Sequence, residues 1–219
     1  MKNLSVGVSS CALLAIVANA HGNLIVNGDF EGLVTGYANG ATPWVSGAWT
    51  FLHEGGVLAS PAGNPGQAAR LESSGLASSD PSAAQTVAGL TVGATYFLAW
   101  DVAVGVNWSG AANGPSFGVF LDTQSFSTAL VLRSYASFPP SGYVHESVEF
   151  VASSTSHTFI FAGELDGRSN GAGTTGTTDV SYKLDNVSLN PVPEPGTVAL
   201  AMLAGSSLVA GYRRRKARS

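Results

Sequence analysis

Alternation with a period of two governs the middle of this 219-residue chain. Tyr96, Leu98, Trp100, Val102 and Val104 occupy every second position, so on an extended strand they share one face, the pattern of a strand buried on one side. Comparable runs lie at 23–27, 43–51, 67–72, 115–122, 126–133, 143–151, 156–163 and 179–189. Gly, Ser, Thr, Asn and Pro fill the intervals, as at Gly55-Gly56, Asn64-Pro65-Gly66 and Pro139-Pro140-Ser141-Gly142, which read as turns. No helical period interrupts the runs. Nine or ten short strands in about 170 residues, with no crossover helix, predict an all-β antiparallel sandwich over residues 21–190. Two longer intervals, Gly105–Gly114 and Asp166–Thr178, read as loops.

The two ends follow different rules. Lys2, an apolar run from Val6 to Val17 and then Ala18-Asn19-Ala20 make a secretory signal peptide over 1–20, with cleavage expected after Ala20. The run is too short to cross a bilayer, which takes about 20 residues. The only cysteine, Cys11, leaves with it. At the other end, Asn190-Pro191-Val192-Pro193-Glu194-Pro195-Gly196 is expected to end any strand, because proline lacks the amide donor. Residues 197–212 are mostly apolar and Arg213, Arg214, Arg215 and Lys216 follow at once. Sixteen helical residues rise about 24 Å, a short transmembrane helix whose arginines keep the C-terminus cytoplasmic and leave the body on the outer face.

Charge divides along the same lines. Five of the ten basic residues lie in the last seven positions, whereas residues 21–195 hold four basic residues against all fourteen acidic ones, a net charge of −10. A body of that sign repels phosphate backbones, which excludes nucleic acid as a partner.

The tail from Val192 to Ser219 resembles the PEP-CTERM sorting signal of exported proteins of Gram-negative bacteria: Val192-Pro193-Glu194-Pro195, a short apolar helix, and the closing arginine cluster. The resemblance implies a sorting segment over 191–219, recognised by an exosortase, a membrane-embedded cysteine transpeptidase-like enzyme that processes the chain near Pro193-Glu194-Pro195. It implies passage through the secretion translocon and signal peptidase, a stay at the inner membrane, and delivery to the cell surface or extracellular matrix.

Within the body, apolar residues fall on even numbers through Val180, Tyr182 and Leu184, then on odd numbers at Val187 and Leu189. A phase change of one residue at Asp185-Asn186 predicts a β-bulge that redirects a carboxylate. First and last strands of a sandwich commonly neighbour one another, so Glu31 and Asp185 are expected to converge. Two carboxylates among carbonyl oxygens suit Ca²⁺; the plainer alternative gives Asp29 and Asp185 turn and strand-end hydrogen bonds. The opening Asn23-Leu24-Ile25-Val26-Asn27-Gly28-Asp29-Phe30-Glu31 and the closing Leu184-Asp185-Asn186-Val187-Ser188-Leu189 resemble the end strands of galactose-binding-like jelly rolls, a fold common among carbohydrate-binding modules. Gly89-Leu90-Thr91-Val92-Gly93-Ala94-Thr95-Tyr96 resembles the turn before their central strand. That resemblance implies a structural calcium held by Glu31 and Asp185, with Asp29 assisting.

Catalytic constellations are sparse. There is no phosphate loop, zinc spacing or nucleophile elbow. His21, His53, His145 and His157 lack ligand spacing, and the last two are expected as surface residues of strands. Glu54, Glu146 and Glu149 offer a carboxylate pair only if their separation suits glycoside hydrolysis. Sugar binding would use exposed aromatic faces with amides beside them. Trp108 with Asn107 and Asn113 fits best, with Tyr135 and Tyr143 as further candidates, Trp44 and Trp49 read as core in preference to ligand contacts, Asp166, Arg168 and Asn170 on the facing loop, and Trp100 assigned to the core. The sequence thus predicts an exported, non-catalytic surface or matrix protein associated with extracellular polysaccharide. Its rivals are a calcium-stabilised carbohydrate-binding adhesin and a secreted glycan hydrolase.

Overall fold

A strand with one apolar face cannot bury it alone, and here the faces are buried by stacking two sheets. The computed structural model describes residues 22–39, 42–53, 55–73, 80–104, 116–134, 142–163 and 180–193. Gly22–Val192 forms one compact unit. Twelve strands occur among the described residues: β1 (Gly36–Tyr37), β2 (Trp44–Ser46), β3 (Trp49–Leu52), β4 (Gly55–Gly63), β5 (Gly66–Ser73), β6 (Ser82–Ala88), β7 (Thr95–Val104), β8 (Ser116–Leu121), β9 (Val131–Ser134), β10 (Tyr143–Val151), β11 (Ser156–Gly163) and β12 (Val180–Pro191). They form two six-stranded sheets ordered β1-β4-β5-β12-β7-β10 and β2-β3-β6-β11-β8-β9. Every pairing is antiparallel, so the predicted all-β sandwich is the fold observed.

The core lies between the sheets. Leu98, Trp100 and Val102 of β7 point inward with Leu71 of β5 and Tyr182 and Leu184 of β12. They meet Phe51, Phe117, Val119, Phe159 and Phe161 of the other sheet. Trp100 stands edge-on to Phe161 with ring centroids 5.9 Å apart, and Phe117 packs on Tyr182 at 5.5 Å. Such pairs add about 0.5–1.5 kcal/mol to the burial of their area. At one open edge of the sandwich the Arg133 guanidinium of β9 grips Glu146 of β10, with Nη2 2.9 Å from Oε2, tying the two edge strands together across the sheets.

Several predicted boundaries move. The run 23–27 is not a strand but a series of turns, with Asn27 and Phe30 at φ 49° and 54°. Side chains supply the hydrogen bonds that a ladder would have supplied. The buried Gln85 amide both accepts the Val26 N–H (2.8 Å) and donates to the Val26 carbonyl (2.9 Å). The Asn23 oxygen accepts the N–H groups of Ile25 and Leu189, and its amide donates to the Val187 carbonyl. Trp49 Nε1 donates to the carbonyls of Val26 and Asn27, and Phe30 lies against the Trp49 ring at 4.8 Å.

Elsewhere, the run 43–51 is split into β2 and β3, with Gly47 (φ 60°) between them. The run 126–133 opens with a 3₁₀ turn at Phe126–Thr128 before β9. Gly55-Gly56, read as punctuation, begins β4, because a Cβ on Gly56 would fall 2.0 Å from the Gly36 carbonyl oxygen of the neighbouring strand. Strands β1, β4 and β6 were not expected; β6 turns only Ala83, Gln85 and Val87 inward, a weak apolar signal. Finally, β12 does not stop before the prolines but includes Pro191.

Gln85→Leu keeps an apolar-compatible volume while stripping both bonds from Val26. It should destabilise the domain by about 1–3 kcal/mol, the usual cost of orphaned polar groups, read as a lower urea midpoint with an unchanged slope.

Candidate functional site

The predicted bulge is present. On β12, Asp185 stands opposite Asp101 of β7, whereas Ser188 stands opposite Ala99, so β12 carries one residue more than its partner over this step. Asn186 takes up the excess in the left-handed region at φ 51°. Asp185 and Asp101 thereby share the outer face of the sheet, away from the core.

A hairpin covers them. After Leu58↔Ala68, β4 loses register with β5 and regains it only at Gly63↔Gly66. The slack lets the hairpin tip fold back over the outer face. The Asn64 N–H donates to Asp185 Oδ2, and the Asn64 amide donates to Asp101 Oδ2 (3.2 Å). Tyr143 of β10 donates its hydroxyl to the Ala62 carbonyl (2.6 Å), which ties the tip to the far edge of the sheet. From the opposite side, Glu31 Oε1 accepts the Gln67 N–H at 2.6 Å. Only glycine fits at position 66, where φ is +90° and a Cβ would fall 1.6 Å from Glu31 Oε1. Glu31 and Asp185, 154 positions apart in the chain, thus bind the N–H groups on either side of one tight turn.

The cluster is acidic, with two carboxylates withdrawn from solvent and Glu31 left exposed. Asp185 has no exposed surface and Asp101 is buried. Burial pushes the Asp185 carboxyl up to about 6; hydrogen bonds from the Asn64 and Asn186 N–H groups oppose the rise, and the charges of Asp101 and Glu31 add to it. Burial pushes Asp101 up as well, but hydrogen bonds from Asn186, His145 and Asn64, with the His145 charge, outweigh it and hold that carboxyl below the ordinary value. The Asn186 amide donates to both Asp101 Oδ2 and the Asn64 carbonyl, each at 2.8 Å. His145 Nδ1 lies 2.7 Å from Asp101 Oδ1, with the imidazole 68% exposed. Burial also raises the Tyr143 hydroxyl, helped by the charges of Asp185 and Asp101.

Among the described residues no three Asp, Glu, His or Cys side chains are grouped closely enough to hold a metal by themselves. A cation here would complete its shell with carbonyl or amide oxygens and water, as Ca²⁺ does. Glu31, Asp185 and Asp101 carry oxygens of the right type, while both Asp185 oxygens accept the N–H groups of Asn64 and Asn186. Asp29 faces elsewhere: its Oδ1 accepts the Glu31 N–H at 3.3 Å, and it lines a shallow polar cleft of about 350 Å³ with Asn23, Asn27, Asn186 and Ser188.

The aromatic candidates separate cleanly. Trp49 and Trp100 are core; Trp44 is half-buried against Phe51, with centroids 5.4 Å apart. Tyr37, not singled out from sequence, is 57% exposed on the outer face with the Arg70 guanidinium 5.0 Å from its ring centre. Trp108, Asn107, Asn113, Tyr135, Glu54, His21 and residues 166–170 lie outside the described residues, as do Ala18, Ala20, Glu194, Pro195 and Arg213–Lys216. His157 is not a surface residue. It is buried, with Nδ1 2.7 Å from Asp122 Oδ2 and Nε2 accepting the N–H groups of Ser153 and Ser154, so it fastens the turn between β10 and β11. Glu146 is committed to Arg133. Asp101 was missed although an aspartate inside the apolar Ala99-Trp100-Asp101-Val102-Ala103 run was a signal.

These features define a two-sheet antiparallel β-sandwich with an acidic cluster pinned under a hairpin on one face. The end of its chain, residues 191–216, matches the PEP-CTERM protein-sorting motif. That motif implies an exported protein sorted to the cell surface, with an exosortase as its processing enzyme. Among the described residues no helix is long and apolar enough to cross a membrane; segment 197–212 lies outside them. No curated protein shows significant sequence similarity to the chain.

Three solved structures illustrate what the sandwich is similar to. The C-terminal family 22 carbohydrate-binding module of Clostridium thermocellum Xyn10B is 14% identical, with TM-score 0.48 and coverage of 79% of this chain and 96% of that one. The arabinose-bound α-L-arabinofuranosidase MgGH51 is 15% identical, with TM-score 0.49, covering 78% of this chain and 26% of that one. The C-terminal domain of EclA, a sugar-binding protein, is 14% identical, with TM-score 0.34, covering 49% of this chain and 64% of that one. The chain thus spans only part of the length of the last two.

The raised Asp185 carboxyl has a defined pH signature. A group whose folded pKa exceeds its unfolded value favours the folded state when protonated, so in chelator the stability should fall as pH rises from about 4 to about 6 and stay low above that. The cost is on the order of 2–3 kcal/mol. Asp185→Asn should flatten that window; equal slopes for the two proteins in pH-dependent denaturation would contradict it.

Proposed function

We propose that this protein is a non-catalytic component of the cell surface or extracellular matrix, exported by its signal peptide, held at the inner membrane and released there by exosortase processing near Pro193-Glu194-Pro195. The observation that carries the reading is the three-part tail: the proline-rich motif, the apolar segment and the arginine stop lie in the order a sorting enzyme reads. The body contributes to association with extracellular polysaccharide. The exposed Tyr37 ring beneath Arg70 on the outer face supports this, since an aromatic plane flanked by a cation and hydrogen-bonding groups is what a pyranose ring stacks on. The capture of Glu146 by Arg133 supports the absence of hydrolysis, because a carboxylate bound bidentately to a guanidinium is a poor proton donor.

Replacing Pro193-Glu194-Pro195 by alanines should leave full-length protein in the inner-membrane fraction while the wild type is shortened and recovered with surface polysaccharide. Tyr37→Ala should loosen that last association without changing processing. Normal release of the alanine variant would reduce the tail to a simple anchor.

A structural calcium bound by Glu31 and Asp185 belongs to the same proposal. Its support is the crowding of carboxylates, in which the buried Asp185 feels the like charges of Asp101 and Glu31. Bound Ca²⁺ would supply charge neutralisation and no chemistry. Chelation should lower the melting temperature of the wild type by several degrees and leave Asp185→Ala insensitive; identical melting curves with and without chelator would remove the ion.

A further inference from the structure

The sorting motif begins inside the fold. Pro191 is paired with Tyr96 at the end of β12, and the Val192 N–H donates to the Thr95 carbonyl at 2.9 Å, so the last sheet hydrogen bond falls one residue before Pro193. Around that point the outer face of the sheet carries exposed apolar side chains among polar ones. Val192 neighbours Thr95, and Thr95 stands opposite Val151, which is 59% exposed. One step back along β7, Phe97 is 38% exposed and stands between Asn190 of β12 and Glu149 of β10. Val92, 59% exposed, sits on the adjoining turn, where the Gly93 N–H donates to the Ala152 carbonyl. Three exposed large hydrophobic residues therefore lie near the exit of the tail, on a body that is strongly acidic.

Distance decides what covers them. An extended chain advances at most ~3.3–3.6 Å per residue, so Pro193-Glu194-Pro195 reaches no further than about 11 Å from Val192. A specific protein partner covers about 800 Å² of its target, a disc with a radius of about 16 Å. Any enzyme that grips these three residues meets the rim as well. We propose that the apolar rim formed by Val92, Phe97 and Val151 is a docking surface for the exosortase, supplementing recognition of the motif. This rests on the sorting reading above. The rim seats the folded domain against the enzyme, and the fixed end of β12 sets the register of the motif relative to it.

The test is a pulse-chase of the full-length chain in its own cells, following conversion to the shortened form. Phe97→Glu with Val151→Glu should slow conversion at least fivefold while the melting temperature of the extracted protein stays unchanged. A Gly/Ser spacer of eight residues inserted after Val192 should slow the wild type to a similar extent, and the two glutamates should then add nothing. Conversion of the double variant at the wild-type rate, while alanines at Pro193-Glu194-Pro195 still block it, overturns the docking surface and leaves the sorting reading standing. An undiminished effect of the glutamates in the spacer background also overturns it, because a rim acting through lipid or folding does not depend on its distance from the motif. Free processing of the alanine variant removes the sorting reading beneath it.

Discussion

A carboxylate removed from water must be met by donors or by a cation, and Asp185 sits at the point where this requirement shapes the fold. The bulge of β12 puts it on the outer face beside Asp101, and the register between the two strands leaves neither room to turn away. The response comes from four separate stretches of chain. The β4–β5 hairpin supplies the Asn64 N–H, the bulge supplies Asn186, the opening loop brings Glu31 to the other side of the same turn, and Tyr143 locks the hairpin from the far edge. One unfavourable burial thus coordinates elements that the hydrophobic core alone would leave independent.

The opening segment shows the same principle with neutral groups. It reaches the core through Ile25 and Phe30, yet its backbone pairs with side-chain amides as much as with strands. Gln85 imitates a strand neighbour with a single amide, and Asn23 does so toward β12. This arrangement frees the segment to curve, and the curvature carries Glu31 to the hairpin.

Legibility in the sequence follows the range of the interactions. The β7 stripe and the β12 bulge were visible because each is written in consecutive residues: a period of two, and a change in its phase. Segment 23–27 was misread because its alternation is compatible with a strand, and what prevents one is Gln85, 59 positions away. Asp101 was passed over because its significance lies in standing opposite Asp185, a register no local pattern states. The approach of Glu31 and Asp185 to one another was anticipated, but the turn that joins them was not, because Asn64-Pro65-Gly66 announces a reversal without saying over which surface it folds. The sorting motif was legible, since its message lies in composition and order, although Pro191 extends β12.

Strand β12 is also the route by which mechanical load enters the domain. It lies in the interior of its sheet, bonded to β5 on one side and β7 on the other, and its C-terminal end leads directly into the tail. Tension on whatever is joined beyond Val192 runs along the strand axis. Its hydrogen bonds are then sheared together instead of being peeled apart one at a time. A pull at this end therefore meets an interior strand instead of an edge one.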